Sequence, residues 1–378
     1  MIRLSLLNTV ALVSLAASSV AIAQEAPAPK AGQGPTTAAE KLSTAVATLT
    51  MDPLAKADTD MKRVMDSLTA LNGKPIESLT AEEARKQPSP TDAVKALLKN
   101  EGKSSEPAPG VTTADISVDG AAGPLKARVY KPDGASGKLP VVLYFHGGGW
   151  VIADLDTYDA GPRAIAKLAD AIVISVHYRQ APEHKFPSAH DDAVAAYKWV
   201  LANADAQGGD AKRVAVMGES AGGNLAINVA IAARDQKLQA PVHEVLIYPV
   251  AGNDMDSPSY KANASAKPLN KPMMAWFVEQ ISKSPDDKNS PLIDLVGKAD
   301  VKGLPTTTIV TAEIDPLRSD GERLSAKLKE AGVAVEHKDY VGSTHEFFGM
   351  DVVVKDAGEA QAFVAERLKA SFAGTASN

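Results

Sequence analysis

The chain has 378 residues, 45% of them hydrophobic and 23% charged, which suits one large α/β domain plus a smaller element. A formal net charge of −6 leaves no electrostatic footprint for nucleic acid or an anionic membrane. The absence of cysteine excludes disulfides, thiolate metal sites, a cysteine nucleophile and a lipidated N-terminal cysteine.

Residues 1–23 read as a signal peptide. Arg3 supplies a short positive region, Leu4 to Val20 is mostly apolar, and Ala21-Ile22-Ala23 fits a small-x-small cleavage site before Gln24. Asn8, Thr9 and the serines leave too little apolar length for a bilayer span, so the expectation is an exported protein, periplasmic or extracellular, without a stable membrane anchor. Residues 24–40, with Ala-Pro-Ala-Pro and Gly-Gln-Gly-Pro, read as a flexible tether. Residues 41–110 read as a helical cap element and linker. There Leu54, Ala57, Met61, Val64, Met65, Leu68 and Leu71 recur at helical spacing, Asn72-Gly73 stops the run, and Ser78-Leu79-Thr80-Ala81-Glu82-Glu83 starts another short helix with a cap. The methionines of this stripe suit core packing; the functional alternative is that Met61 or Met65 lines a substrate pocket.

From residue 111 onward strand and helix signals alternate, in what reads as the main domain, 111–378. The stretch from Ala114 to Tyr130 looks like an antiparallel start. Val141–Phe145, Ile172–Val176, Val214–Met217, Val245–Tyr248 and Thr307–Thr311 are short unbroken apolar or β-branched runs, as expected of strands buried on both faces. Gly161–Ala169, His190–Asn203, Ala221–Ala233 and Ser319–Ala331 are the helices between and after them, and Val333–Tyr340 is the last strand candidate. This alternation predicts an α/β fold with a mostly parallel central sheet flanked by helices on both sides.

Ligand sites of such sheets lie at the carboxyl ends of the strands, so the residues after each run carry the functional reading. After Val214–Met217 comes Gly218-Glu219-Ser220-Ala221-Gly222, a strand-turn-helix Gly-x-Ser-x-Gly in which Ser220 would project from a strained apex toward the first amides of a helix. Side chains at Gly218 and Gly222 would collide with the neighbouring strand and helix. After Phe145 comes His146-Gly147-Gly148-Gly149-Trp150, and three consecutive glycines can turn backbone N–H groups toward a ligand. The functional reading is an oxyanion hole of the amides of Gly148, Gly149 and Ala221, with His146 as a brace. After Thr311 comes Asp315, ahead of the competing Asp320 and farther from the strand than Glu313; after the last strand comes His345. The order nucleophile, acid, base is the one expected of α/β-hydrolases.

The set His146-Gly-Gly-Gly-Trp150, Gly218-Glu-Ser-Ala-Gly-Gly223, Asp315-Pro-Leu-Arg318 and His345-x-Phe-Phe-Gly349, with Tyr178-Arg-Gln-Ala-Pro-Glu-His184, resembles the hormone-sensitive-lipase-like esterases, bacterial family IV. The resemblance covers roughly 51–349. It implies an α/β-hydrolase fold with a helical cap, no metal or organic cofactor, and hydrolysis of short or medium acyl esters by a Ser220-His345-Asp315 triad. It also implies a cap insertion at about 253–290, where core packing is an equal reading for each aromatic, and it suggests Met61, Trp150, Glu219, Met274 and Phe277 as substrate-binding residues. Two positions depart from the family pattern: Glu219 stands where Asp or Thr is usual, and Glu346 where Gly is frequent. The expected partner is a small-molecule ester, and a homo-oligomer is left open. An amidase or arylformamidase would use the same triad, and a non-catalytic binder could share the fold.

Overall fold

Eight strands make one sheet in the order β1-β2-β4-β3-β5-β6-β7-β8 in the computed structural model, which describes residues 52–375. The predicted leader, the tether and the start of the cap element lie outside the described residues. The antiparallel start is a hairpin of β1 (Val111–Gly120) and β2 (Gly123–Pro132), which joins β4 in antiparallel register. From there β4 (Ile172–His177), β3 (Leu139–Phe145), β5 (Gly209–Glu219), β6 (Glu244–Ile247), β7 (Thr307–Ile314) and β8 (Val335–Thr344) run parallel.

Among the described residues, eight longer helices accompany the sheet. They are α1 (Thr59–Ala70), α2 (Pro90–Asn100), α3 (Ala160–Ala169), α4 (Ser188–Asn203), α5 (Ala221–Asp235), α6 (Lys271–Ile281), α7 (Arg318–Glu330) and α8 (Lys355–Thr375). Alternation along the strands sorts the core into two halves. Val141, Leu143, Phe145, Val214 and Val216 face one half, with residues of α4, α5 and α7. Val142, Tyr144, Ala215 and Met217 face the other, with residues of α1, α2, α3 and α8. A period of two on a sheet covered on both sides produces this division.

Two elements differ from the sequence expectation. β8 runs to Thr344 rather than ending at Tyr340, because its register with β7 shifts between Ala312 and Ile314 and lets Thr344 pair with Ile314. This extension delivers His345 directly at a strand end. Helix α8 was not anticipated, although Val354, Ala357, Val364, Leu368 and Phe372 are all buried at helical spacing. The short helix Ala81–Ala84 has the anticipated cap: Thr80 and Glu83 satisfy each other's backbone N–H groups.

Candidate active site

The turn between β5 and α5 places Ser220 at φ 57°, ψ −117°, a backbone conformation rarely adopted by a residue with a side chain. Its N–H is held by the Ile247 carbonyl at 2.8 Å, and its own carbonyl accepts from Asn224 and Val250, each at 3.2 Å. The flanking glycines are a steric requirement: a Cβ on Gly218 would run into the Gly222 carbonyl, and one on Gly222 into the Phe145 carbonyl of β3.

Three strand ends converge here. His345 Nε2 lies 3.0 Å from Ser220 Oγ, and His345 Nδ1 lies 2.7 Å from Asp315 Oδ2. Because a carboxylate only accepts, Nδ1 carries the proton, and the neutral ring presents a lone pair at Nε2 to the serine hydroxyl. Asp315 is fully buried, and its other oxygen accepts from the Leu317 N–H at 2.8 Å. Burial pulls His345 down, but the charge and hydrogen bond of Asp315, with the charges of Glu346 and Glu219, hold its pKa above the ordinary histidine value.

The glycine loop after β3 turns as its composition requires, with Gly148 at φ 88° and Gly149 at φ 58°. The Gly148 carbonyl accepts from Val151 at 3.0 Å and Ile152 at 2.9 Å, which fixes the turn of the loop. The N–H groups of Gly148, Gly149 and Ala221 donate to no other described residue, Ala221 because it opens α5. His146 is a brace: its Nδ1 lies 2.9 Å from the Gly147 carbonyl, and the Tyr178 hydroxyl donates to the carbonyls of His146 and Gly147 at 2.9 and 3.2 Å. Burial pushes the His146 imidazole down to about 3, so it stays neutral.

The alpha/beta hydrolase fold family matches residues 142–349, more than half of the chain and all of these motifs but the first residues of β3. Among curated relatives, the chain is 43% identical over 240 residues to the carboxylesterase NlhH of Mycobacterium tuberculosis, covering 62% of this chain and 75% of that one. It is 36% identical over 300 residues to the ethyl acetate hydrolase of Pseudomonas putida, covering 78% of this chain and 92% of the relative. The hyperthermophilic esterase of the archaeon Pyrobaculum calidifontis superposes with a TM-score of 0.75 at 35% identity, covering 83% of this chain and 98% of that one. The chain is a hormone-sensitive-lipase-like α/β-hydrolase. With carboxylesterases and esterases as its relatives, it is a carboxylic ester hydrolase.

The residues suggested as substrate-binding in this esterase divide. Phe277 of α6 lies against the glycine loop after β3, since a Cβ on Gly149 would run into its ring. Trp150, at φ 61°, lines a small cleft beside that loop, with His184, Phe186, His190 and Ile281. Met274 packs in the core on the α4 side of the sheet. Glu219 is a correction. As the last residue of β5 it shares the strand face of Ala215 and Met217, so its carboxylate turns into the core, where the hydroxyls of Tyr144 and Tyr248 donate to its two oxygens. Met61 is a second correction: it is fully buried beneath the histidine loop, its Sδ 3.1 Å from Thr344 Oγ1. With no surface left, it supports the loop rather than a ligand.

The segment between β6 and β7 also braces the loop that carries Asp315. Asn263 Nδ2 donates to the carbonyls of Glu313 and Asp315 at 3.2 and 3.1 Å, and Ser259 Oγ donates to the Pro316 carbonyl at 2.5 Å. The Trp276 indole N–H reaches the Leu79 carbonyl at 3.1 Å and ties this stretch to the N-terminal helical segment. Sequence reasoning missed Tyr144, Tyr248 and Tyr158, whose hydroxyl donates to Glu346 beside His345. Strand alternation carried the signal for Tyr144, which falls on the same face as Glu219.

Proposed function

We propose that this chain is a serine carboxylesterase that hydrolyses short to medium acyl esters through an acyl-enzyme formed on Ser220. The observation that carries the reading is the continuous hydrogen-bonded array Ser220–His345–Asp315 below the free amides of a glycine loop. His345 Nε2 takes the Ser220 proton as Oγ attacks the ester carbonyl, and Asp315 holds the ring and stabilises its cationic form. The carbonyl oxygen gains negative charge beside the amides of Gly148, Gly149 and Ala221. The imidazolium returns its proton to the alkoxide, which leaves as alcohol. A water deprotonated by His345 then adds to the acyl-enzyme, and collapse of that adduct gives the acid and restores Ser220.

Preference for short chains is supported by Phe277, whose ring rests on the glycine loop after β3. Replacement of Ser220 by alanine is expected to cost about a million-fold in turnover of p-nitrophenyl acetate. Substantial residual hydrolysis by that variant would reject the mechanism, and faster turnover of matched amides than esters would favour the amidase reading. The leader-like residues 1–23 support export of the mature enzyme. Mass measurement of protein from the producing cell would then find a chain starting at Gln24, whereas an intact Met1 would contradict export by cleavage.

A further inference from the structure

Two carboxylates flank the triad in sequence and have no part in the mechanism above: Glu219 before the nucleophile and Glu346 after the base. Glu219 is only 2% exposed, clamped between the hydroxyls of Tyr144 and Tyr248. The Tyr248 ring stands 4.5 Å from the His345 imidazole, centroid to centroid. Glu346 sits at φ 69°, and its Oε1 accepts from the Tyr158 hydroxyl at 2.5 Å. Among the described residues, no lysine or arginine pairs with Glu219, Glu346 or Asp315.

A buried carboxylate needs donors and counter-charge to offset its lost hydration. Here neutral phenols supply the donors, and the counter-charge is the imidazole, which turns cationic when it takes the Ser220 proton or when the cluster is titrated by acid. We propose that Glu219, held by Tyr144 and Tyr248, is a positioning residue that stabilises the imidazolium form of His345, with Glu346 on Tyr158 adding to it from the other flank. The inference rests on the triad reading above.

The groups gathered around His345 are Tyr144 from β3, Tyr158 from the segment before α3, Glu219 from the end of β5, Tyr248 after β6, Asp315 after β7 and its own neighbour Glu346. Burial raises the phenols Tyr144, Tyr158 and Tyr248 well above their ordinary value, so they remain donors. Burial raises Glu219 to about 7 against the hydrogen bonds of Tyr144 and Tyr248, and it raises Glu346 as well, while the charge of His345 acts on both in the lowering direction. Groups coupled in this way titrate together, so the acid limb of the rate profile belongs to the cluster and not to His345 alone.

The test is the pH profile of kcat/KM for p-nitrophenyl acetate, with Tm measured alongside, for the wild type, Glu219→Gln, Glu219→Asp and Glu346→Gln. Loss of the Glu219 charge should move the acid limb down by about 0.5–1 pH unit and lower the alkaline plateau of kcat about tenfold, with KM nearly unchanged. Glu219→Asp, which keeps the charge, should return the limb toward the wild-type position, and Glu346→Gln should move it down by a smaller amount. A limb that stays in place in folded Glu219→Gln, with lost activity tracking only a lower Tm, would overturn the proposal. If Glu219→Gln does not fold, an unmoved limb in Glu346→Gln overturns it equally. Activity surviving in Ser220→Ala would instead reject the triad, so the two failures are distinguishable.

Discussion

Replacing Asp315 by asparagine isolates what the acid contributes, because the structure dictates how the new amide must lie. One oxygen of Asp315 accepts from the Leu317 N–H at 2.8 Å, and the other accepts from His345 Nδ1 at 2.7 Å. In Asp315→Asn the amide oxygen must keep facing Leu317, since an NH2 there would meet another donor. The NH2 then faces Nδ1 and can donate only if Nδ1 gives up its proton. The proton moves to Nε2, which now donates toward Ser220 Oγ and cannot take its hydrogen. A fully buried base fixed in the wrong tautomer costs about 10⁴ in kcat, or roughly 5.5 kcal/mol of barrier. Fold and binding should persist: Tm within a few degrees of wild type and KM little changed. Steady-state hydrolysis of p-nitrophenyl acetate from pH 6 to 9 measures the loss. An Asp315→Asn enzyme within about tenfold of wild type at every pH would refute the tautomer argument.

Three further substitutions test the packing. Gly222→Ala places a methyl on the Phe145 carbonyl, where β3 and α5 cannot both stay in place; a loss above about 4 kcal/mol, seen as insoluble expression or collapse of Tm, is expected. Gly358→Ala in α8, where nothing lies within 4 Å of the added carbon, should instead stabilise by about 0.5–1 kcal/mol, and equal effects at the two sites would refute the steric reading. Glu244, buried in β6 with one oxygen lacking a partner, has its pKa raised by burial to about 8 from 4.5. The folded state therefore holds this proton where the unfolded state releases it, so its stabilising contribution is complete below pH 4.5 and is lost as pH rises through about 8. Glu244→Gln should raise Tm relative to wild type at pH 8.5 and much less at pH 5; a pH-independent difference would contradict this.

How much of this was legible in the sequence follows from how local each cause is. The turn at Ser220 is set by its own glycines, and Asp315 is the first residue after β7, so strand recognition was enough to place both. His345 was found from its position after the last strand, although the strand itself reaches Thr344 through a register shift that depends on β7. Glu219 went astray because a carboxylate beside a nucleophile invites a substrate role. Its burial is decided by which strand face it occupies and by tyrosines contributed from β3 and from after β6. Met61 lay on a stripe whose period fixes a helix but not its neighbour, and that neighbour, Thr344, is 283 residues away.

The central claim is that one hydroxyl, Ser220, carries the acyl group. Reaction with a fluorophosphonate followed by peptide mass analysis tests it most directly. One adduct per chain on the peptide containing Ser220, formed in step with loss of esterase activity and absent from His345→Ala, is the expected result. Labelling at another residue, or full activity in protein whose Ser220 is completely modified, would contradict it.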